Sequence, residues 1–278
     1  LMAAIAARTE RIRIGSAGVM LPHYSPLKVA EQFRVLEAIA PGRIDLGVGR
    51  APGSDGKTAY ALNPNAPLSA EHFPSSVRDL IDWVHGEPLI DGHPFADIRA
   101  HPAVPTAPEV WMLGTSDFGA QLAAYLGIPY CFAHFITDGR GTEQALKIYR
   151  ENYRPSARHP KPHATICLWA LVADTDEAAN HEFISRGHWK VRRDRGIWEP
   201  LLPPDEAARQ DRTPEEAASI ERFRGRTFVG TAPDVGARLR DLAKMLDIDE
   251  IVILTWAYEP AVRRRSYELF AEEFSLKP

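Results

Sequence analysis

The feature that most constrains this chain is an alternation of helical and extended patterns joined by short connections. Residues 1–8 read as a helix, and Arg11–Val19 as a strand ending in small residues. Ser25-Pro26 is a strong helix start, a serine cap followed by proline at the first helical position. Val29, Ala30, Phe33, Leu36 and Ala40 then fall at helical spacing, with Lys28, Glu31, Arg34 and Glu37 mostly off that face. Pro41-Gly42 stops the helix, and Ile44–Val48 is the next strand. Parallel strands joined by crossover helices give this order, and sites in such folds lie at the carboxyl ends of the strands.

The second strand runs straight into Gly47-Val48-Gly49-Arg50-Ala51-Pro52-Gly53. Glycines let a backbone approach a ligand closely, and an arginine beside them offers a fork of donors for phosphate or carboxylate. A tight structural turn is the competing reading. The spacing Gly-x-Gly-x-x-x-Gly is not that of a dinucleotide-binding turn, and Ser54-Asp55-Gly56-Lys57 reads as loop, not helix. Residues 51–70, with repeated Gly, Pro, Asn and Ser, read as a long excursion, either solvated or a binding loop.

A helix is predicted near Ala70–Val84, and 87–108 reads as irregular. Glu109–Gly114 is a third strand, entering Thr115-Ser116-Asp117-Phe118-Gly119 at the start of a helix that Gly127 closes. That turn is either a simple cap or an anion site made of unpaired N–H groups and hydroxyls. Ile128–Phe135 reads as a fourth strand, Thr142–Tyr153 as a helix, and His163–Ala173 as a strand buried on both faces. Thr175–Arg186 is helical, and 187–225 reads as a polar insertion with a helix near Pro214–Phe223. Thr231-Ala232-Pro233-Asp234 resembles a capping box before a helix, Asp249–Trp256 is the last strand, and Ala261–Phe274 the last helix. The count is about six strand–helix units behind one leading helix, in a single domain. Eight such units close a (β/α)8 TIM barrel, so the pattern is that of an incomplete barrel lacking its first two strands. A start in mid-helix, with no cap and no leader pattern, agrees with something missing upstream.

Composition narrows the function classes. A net charge of −4 with interspersed cations gives no nucleic-acid surface, and no apolar run approaches the ~20 residues that span a bilayer. Cys131 and Cys167 lie in apolar runs without metal-ligand spacing, which reads as buried free thiols in a reducing cytoplasm.

Several runs together are similar to the bacterial luciferase-like, flavin-dependent monooxygenases. They are Arg11-Ile12-Arg13-Ile14-Gly15-Ser16-Ala17-Gly18-Val19-Met20-Leu21-Pro22, Ser25-Pro26-Leu27-Lys28-Val29-Ala30-Glu31-Gln32, Pro41–Arg50, and Leu113-Gly114-Thr115-Ser116 with Gly127. They keep the family's order and spacing almost end to end. The resemblance implies a barrel, with the units present matching its third to eighth, that binds reduced FMN, activates O2 and oxygenates a small organic substrate. It implies a separate flavin reductase and a dimer. It places Ala17-Gly18 under the flavin ring, where the family often has a non-prolyl cis peptide. It places Gly49 and Arg50 at the phosphate or ribityl chain, Thr115, Ser116 and Gly119 at the phosphate, and the 187–225 insertion as a mobile loop over the site. The acidic-His-His type motif at the end of the family's second strand has no counterpart here. The alternatives are a deazaflavin (F420)-dependent relative doing hydride transfer, and a non-catalytic shortened flavin-binding protein. Catalytic residues stay unassigned. His23 near the mouth is as readily a surface loop residue, and His134 on its apolar strand as readily a structural histidine. Trp111 and Trp256, at strand ends, could stack on a ring, with core packing the simpler reading.

Overall fold

A computed structural model describes residues 1–53 and 55–277. Ser54, part of the expected loop after Gly53, lies outside the described residues. The chain forms two compact units, Leu1–Phe132 with Gln144–Ala164, and Ala133–Glu143 with Thr165–Pro278.

The first unit is built on four parallel strands in chain order, β1 (Ile14–Met20), β2 (Ile44–Gly49), β3 (Glu109–Gly114) and β4 (Tyr130–Phe132). Helix α1 (Met2–Ala6) precedes them, and β1 leads into a 3-10 turn at Leu21–His23. Ile44, Leu46 and Val48 of β2 and Val110 and Met112 of β3 alternate along their strands and are buried, so each strand packs that face into the core. Helix α2 (Pro26–Ile39) starts where the sequence predicts, with the Ser25 hydroxyl accepting from the Lys28 N–H. Phe33 of α2 and Val77, Leu80 and Val84 of α5 (Phe73–His85) supply the buried faces of these two packed helices.

Arg34 and Glu37 correct the periodicity reading, because both are buried. Arg34 donates to the carbonyls of Trp83 and Val84 at the end of α5 and to Pro102. Glu37 accepts from the Gly42 N–H that follows its own helix. The charges are tolerated because each meets backbone groups that would otherwise be unpaired. Residues 51–70 are also not one loop. They hold α3 (Gly56–Leu62), capped by the Asp55 carboxylate on the N–H groups of Lys57 and Thr58, and α4 (Ala66–Glu71). A helix therefore does follow the glycine turn, and the dinucleotide reading still fails on spacing. Helix α6 (Asp117–Leu126) ends at Gly127, whose φ of 61° is the left-handed conformation glycine favours.

The second unit contains α7 (His134–Thr137), β5 (Ala164–Ala173), β6 (Phe228–Thr231) and β7 (Ile251–Leu254); α8 (Thr142–Glu151) begins in it. Strand β5 pairs in parallel with β7 through Ile166–Trp169 and with β6 through Ala170–Ala173. Strand β6 is missing from the sequence count, which makes seven strands among the described residues rather than about six. His134 starts a helical turn instead of ending a strand. The stretch 187–225 comprises the last eight residues of α9 (Asp176–Asp194), then α10 (Pro204–Ala208) and most of α11 (Pro214–Arg226). The capping box forms at Thr213 and Glu216 on α11. At α12 (Ala232–Leu246) the Thr231 hydroxyl donates to Asp234 instead. Helix α13 (Pro260–Glu273) closes the chain. Trp169, Leu171, Ala179, Phe183, Phe223 and Val229 form one core cluster of this unit.

Candidate functional site

The carboxyl ends of β1, β2 and β3 gather most of the residues singled out from sequence. Met20 lies beside Gly49 across β1–β2, and Val48 beside Met112 across β2–β3. The β1 register shifts between Ser16 and Val19, a bulge that contains Ala17 and Gly18. The Ala17–Gly18 peptide is cis, the geometry the resemblance implied. Both residues are exposed on one side and tightly backed on the other. A Cβ on Gly18 would stand 2.4 Å from Leu113 Cδ1 and 2.7 Å from the Gly47 carbonyl oxygen. A Cβ on Gly47 would stand 2.3 Å from the Ser16 carbonyl oxygen. The Ser16 hydroxyl donates to that same Gly47 carbonyl. The result is a flat backbone shelf supported by β2 and by the Leu113 side chain.

Next to it, Arg50 leaves β2 and lays its guanidinium 4.0 Å over the ring of Phe118, in the first turn of α6. This brings an exposed cation to a helix N-terminus, where unpaired N–H groups and the helix dipole attract anions. Ser116 is the N-cap residue of α6, yet its side chain makes no capping hydrogen bond. The simple-cap reading of its hydroxyl is thus not what the geometry contains. Gly114 and Gly119 face each other, a Cβ on either coming 3.7 Å from the other's Cα, so α6 starts close against β3. Tyr130 lies behind them; its buried hydroxyl has no partner among the described residues, and burial raises its pKa so that it stays a neutral phenol. Gly49 tolerates a Cβ better, the nearest atom being the Leu113 oxygen at 3.4 Å.

The mouth is also shaped by residues that sequence reasoning did not pick out. Phe118 and Leu113 looked like ordinary apolar positions, and only the fold shows one beneath Arg50 and the other beneath Gly18. Gly53 has φ +75°, and a Cβ there would sit 1.7 Å from Met20 Sδ, so the turn after β2 closes on the end of β1. His23 is near this turn, with Nε2 3.0 Å from the Pro52 carbonyl oxygen and Nδ1 buried without a hydrogen-bond partner among the described residues. His134 belongs to the second unit, is buried, and packs its Nε2 against Gly139. Burial lowers its pKa, and Asp138 opposes the shift. Trp111 points its indole N–H at Asp45, away from a stacking role. The described residues hold no cluster with metal-ligand composition and no helix long and apolar enough to cross a membrane. Cys131 and Cys167 form no disulfide among the described residues.

Parallel strands joined by crossover helices, with Arg50 stacked on Phe118 in the first turn of α6, define an α/β protein with a parallel sheet. The chain belongs to the luciferase-like monooxygenase family, whose sequence profile matches residues 1–247. It is 38% identical over 270 residues to a luciferase-like monooxygenase of Escherichia coli K12, covering 97% of this chain and 78% of that one. It is 34% identical over 275 residues to the N-acetyl-S-alkylcysteine monooxygenase of Bacillus subtilis 168, covering 98% and 80%. Among solved structures, apo-MsnO8 superposes with a TM-score of 0.86 at 34% identity, over 100% of this chain and 81% of that one. Two more distant structures share the fold. One is the oxygenating constituent of a Pseudomonas putida 3,6-diketocamphane monooxygenase in complex with FMN, with TM-score 0.66, 18% identity and coverage of 98% and 81%. The other is an F420-dependent secondary alcohol dehydrogenase, with TM-score 0.65, 15% identity and coverage of 96% and 81%.

Proposed function

We propose that this protein is an FMN-dependent monooxygenase that uses reduced FMN and O2 on a small organic substrate. The observation that carries the reading is the meeting of the Ala17-Gly18 shelf with an exposed arginine at a helix N-terminus, stacked on Phe118 and with no carboxylate partner among the described residues. A planar ring carrying a phosphate tail needs those two features side by side. The residues fit the cofactor: Gly18, with no Cβ to meet Leu113 and Gly47 behind the shelf, keeps β1 close against β2 with its other side exposed, and Gly49 lets the chain pass close. Arg50, the Ser116 and Thr115 hydroxyls and the N–H groups near Gly119 would hold the phosphate. When bound, reduced FMN supplies the electrons that activate O2. The chain's share is to position the ring on the shelf, neutralise the phosphate and keep water out. A separate flavin reductase would deliver reduced FMN. The dimeric state and the cytoplasmic setting are carried as part of this reading, two cysteines without a disulfide among the described residues favouring a reducing compartment.

F420 is the second reading for the cofactor, because an F420 enzyme shares the fold about as closely as the FMN one. Titrating purified protein with FMN and with F420 separates them. Arg50→Ala and Ser116→Ala should each weaken FMN binding by about 1–3 kcal/mol, the cost of a lost hydrogen bond to a charged group. An unchanged dissociation constant in both variants sinks the site assignment. O2 uptake with NADH and a flavin reductase then tests turnover, and FMN binding without any uptake on a broad substrate panel would favour a non-catalytic flavin binder.

A further inference from the structure

Arg186, on α9, is the largest fully buried side chain of the molecule and has an exposure of only 2%. Among the described residues no carboxylate lies within ion-pair distance of it, although Asp138 and Asp194 act on it from farther away. Its Nε and Nη1 are buried without a hydrogen-bond acceptor among the described residues. Four rings surround its guanidinium instead: Trp256 at 4.1 Å, Trp169 at 5.1 Å, Trp189 at 5.2 Å and Phe223 at 5.7 Å. The Trp169 indole N–H, in the same cluster, is also buried without a hydrogen-bond partner among the described residues. All three orphaned groups are donors, so what the cluster lacks is an acceptor.

The charges agree. Arg186, Lys190 and Arg193 stand against Asp138 and Asp194, which leaves one positive charge over. Both carboxylates are already engaged by Lys190. Ring faces soften the cost of a buried guanidinium but do not replace an anion, and an unpaired buried charge is expensive to keep. Burial is also the main cause that brings the Arg186 pKa down to about 9, which still leaves it charged at neutral pH. Trp256 follows the carboxyl end of β7, and Phe135, whose ring lies 6.2 Å from that of Trp256, follows the carboxyl end of β4. Ligands of parallel α/β folds collect at this end of the strands. Trp256, Trp189 and Phe135 are only partly buried, so an apolar surface borders the cation.

We propose that the aromatic box around Arg186 receives the carboxylate of a small organic acid with an apolar body. The donors take the carboxylate, and the indole and phenyl faces take the body. Calling that acid the substrate rests on the monooxygenase reading; the binding itself does not.

Three of the chain's six tryptophans line the box, so intrinsic fluorescence reports on it without any flavin. The full chain, free of FMN, is titrated with phenylacetate and hexanoate and with their uncharged amides at constant ionic strength. The acids should shift the emission saturably, and the amides should bind at least about tenfold more weakly, the loss expected when a charge-assisted hydrogen bond goes. Arg186→Met should abolish the acid response, and Arg186→Lys, which keeps the charge without the planar fork, should weaken it. Saturating acid should raise the melting temperature of the native chain and leave that of Arg186→Met unmoved. Equal binding of acid and amide, no binding of either, or an acid response kept by Arg186→Met overturns the proposal. If Arg186→Met does not fold, the acid–amide comparison in the native chain decides alone. FMN titration of the same preparation tests the monooxygenase reading separately, so failure of one is not failure of the other.

Discussion

Replacing Gly18 by alanine tests the shelf directly. The added Cβ would meet Leu113 Cδ1 at 2.4 Å, which a rotamer change relieves, and the Gly47 carbonyl carbon and oxygen at 2.9 and 2.7 Å, which it does not. Those two atoms belong to a buried strand paired on both sides, so β1 must move instead. Overpacking of this kind costs about 1–3 kcal/mol, and a backbone clash belongs at the upper end. For a chain of this size that is a fall in melting temperature of roughly 5–10 °C. Because the displaced element is the shelf, FMN affinity should fall together with stability. Gly49→Ala is the control: its nearest neighbour is at 3.4 Å, and it should cost under about 1 kcal/mol in stability. Thermal melts and FMN titrations of both variants give the answer. Gly18→Ala with native stability and native affinity, or Gly49→Ala damaged as badly, would refute the reasoning.

Other expectations concern groups away from the shelf. Arg34→Met removes donors to the carbonyls of Pro102 and Val84, each bonded at 2.6 Å, and should cost about 3–5 kcal/mol by urea denaturation, since each stranded buried carbonyl costs ~1–3 kcal/mol. Burial, with help from Glu87 and Asp79, lifts the Asp82 pKa from 3.8 to about 6. The folded chain then holds a proton that the unfolded chain releases, so this group's stabilising contribution falls as pH rises from 3.8 to about 6. Asp82→Asn should stabilise the protein at pH ~7 by about 1 kcal/mol after allowing for solvent screening, with the gain vanishing in melts below pH ~4. Burial pushes the Cys167 thiol up to about 11, so iodoacetamide should label it slowly at neutral pH in the folded protein and quickly in urea.

Much of the first unit was legible because its signals are local. The Ser25 cap with Pro26, the apolar runs of β2 and β3, and Gly127 after α6 each act within a few residues, and each falls where the pattern put it. Features that depend on distant neighbours were not legible. Arg34 and Glu37 break the apolar stripe of α2, and only the end of α5 and the Gly42 amide explain their burial. The short helices after Gly53 were hidden by turn-type composition, although Asp55 two residues before Thr58's predecessor was a usable cap signal. Strand β6 has four residues between two long helices, too few for a period to show. Arg186 was hidden by its position at the edge of a polar stretch, where an arginine looks solvated. At the candidate site, Arg50 and Ser116 could be named from sequence, but Phe118, which joins them, could not.

Away from the mouth, Asp45 accepts from Arg13 through both carboxylate oxygens and from the Trp111 indole, at 2.7–3.1 Å, which ties β1, β2 and β3 together near their amino ends. A slip of one residue in any of these strands would break the tie and turn its side chains to the wrong face. Alignment is therefore held at the amino ends, at the far end of the strands from the shelf and Arg50.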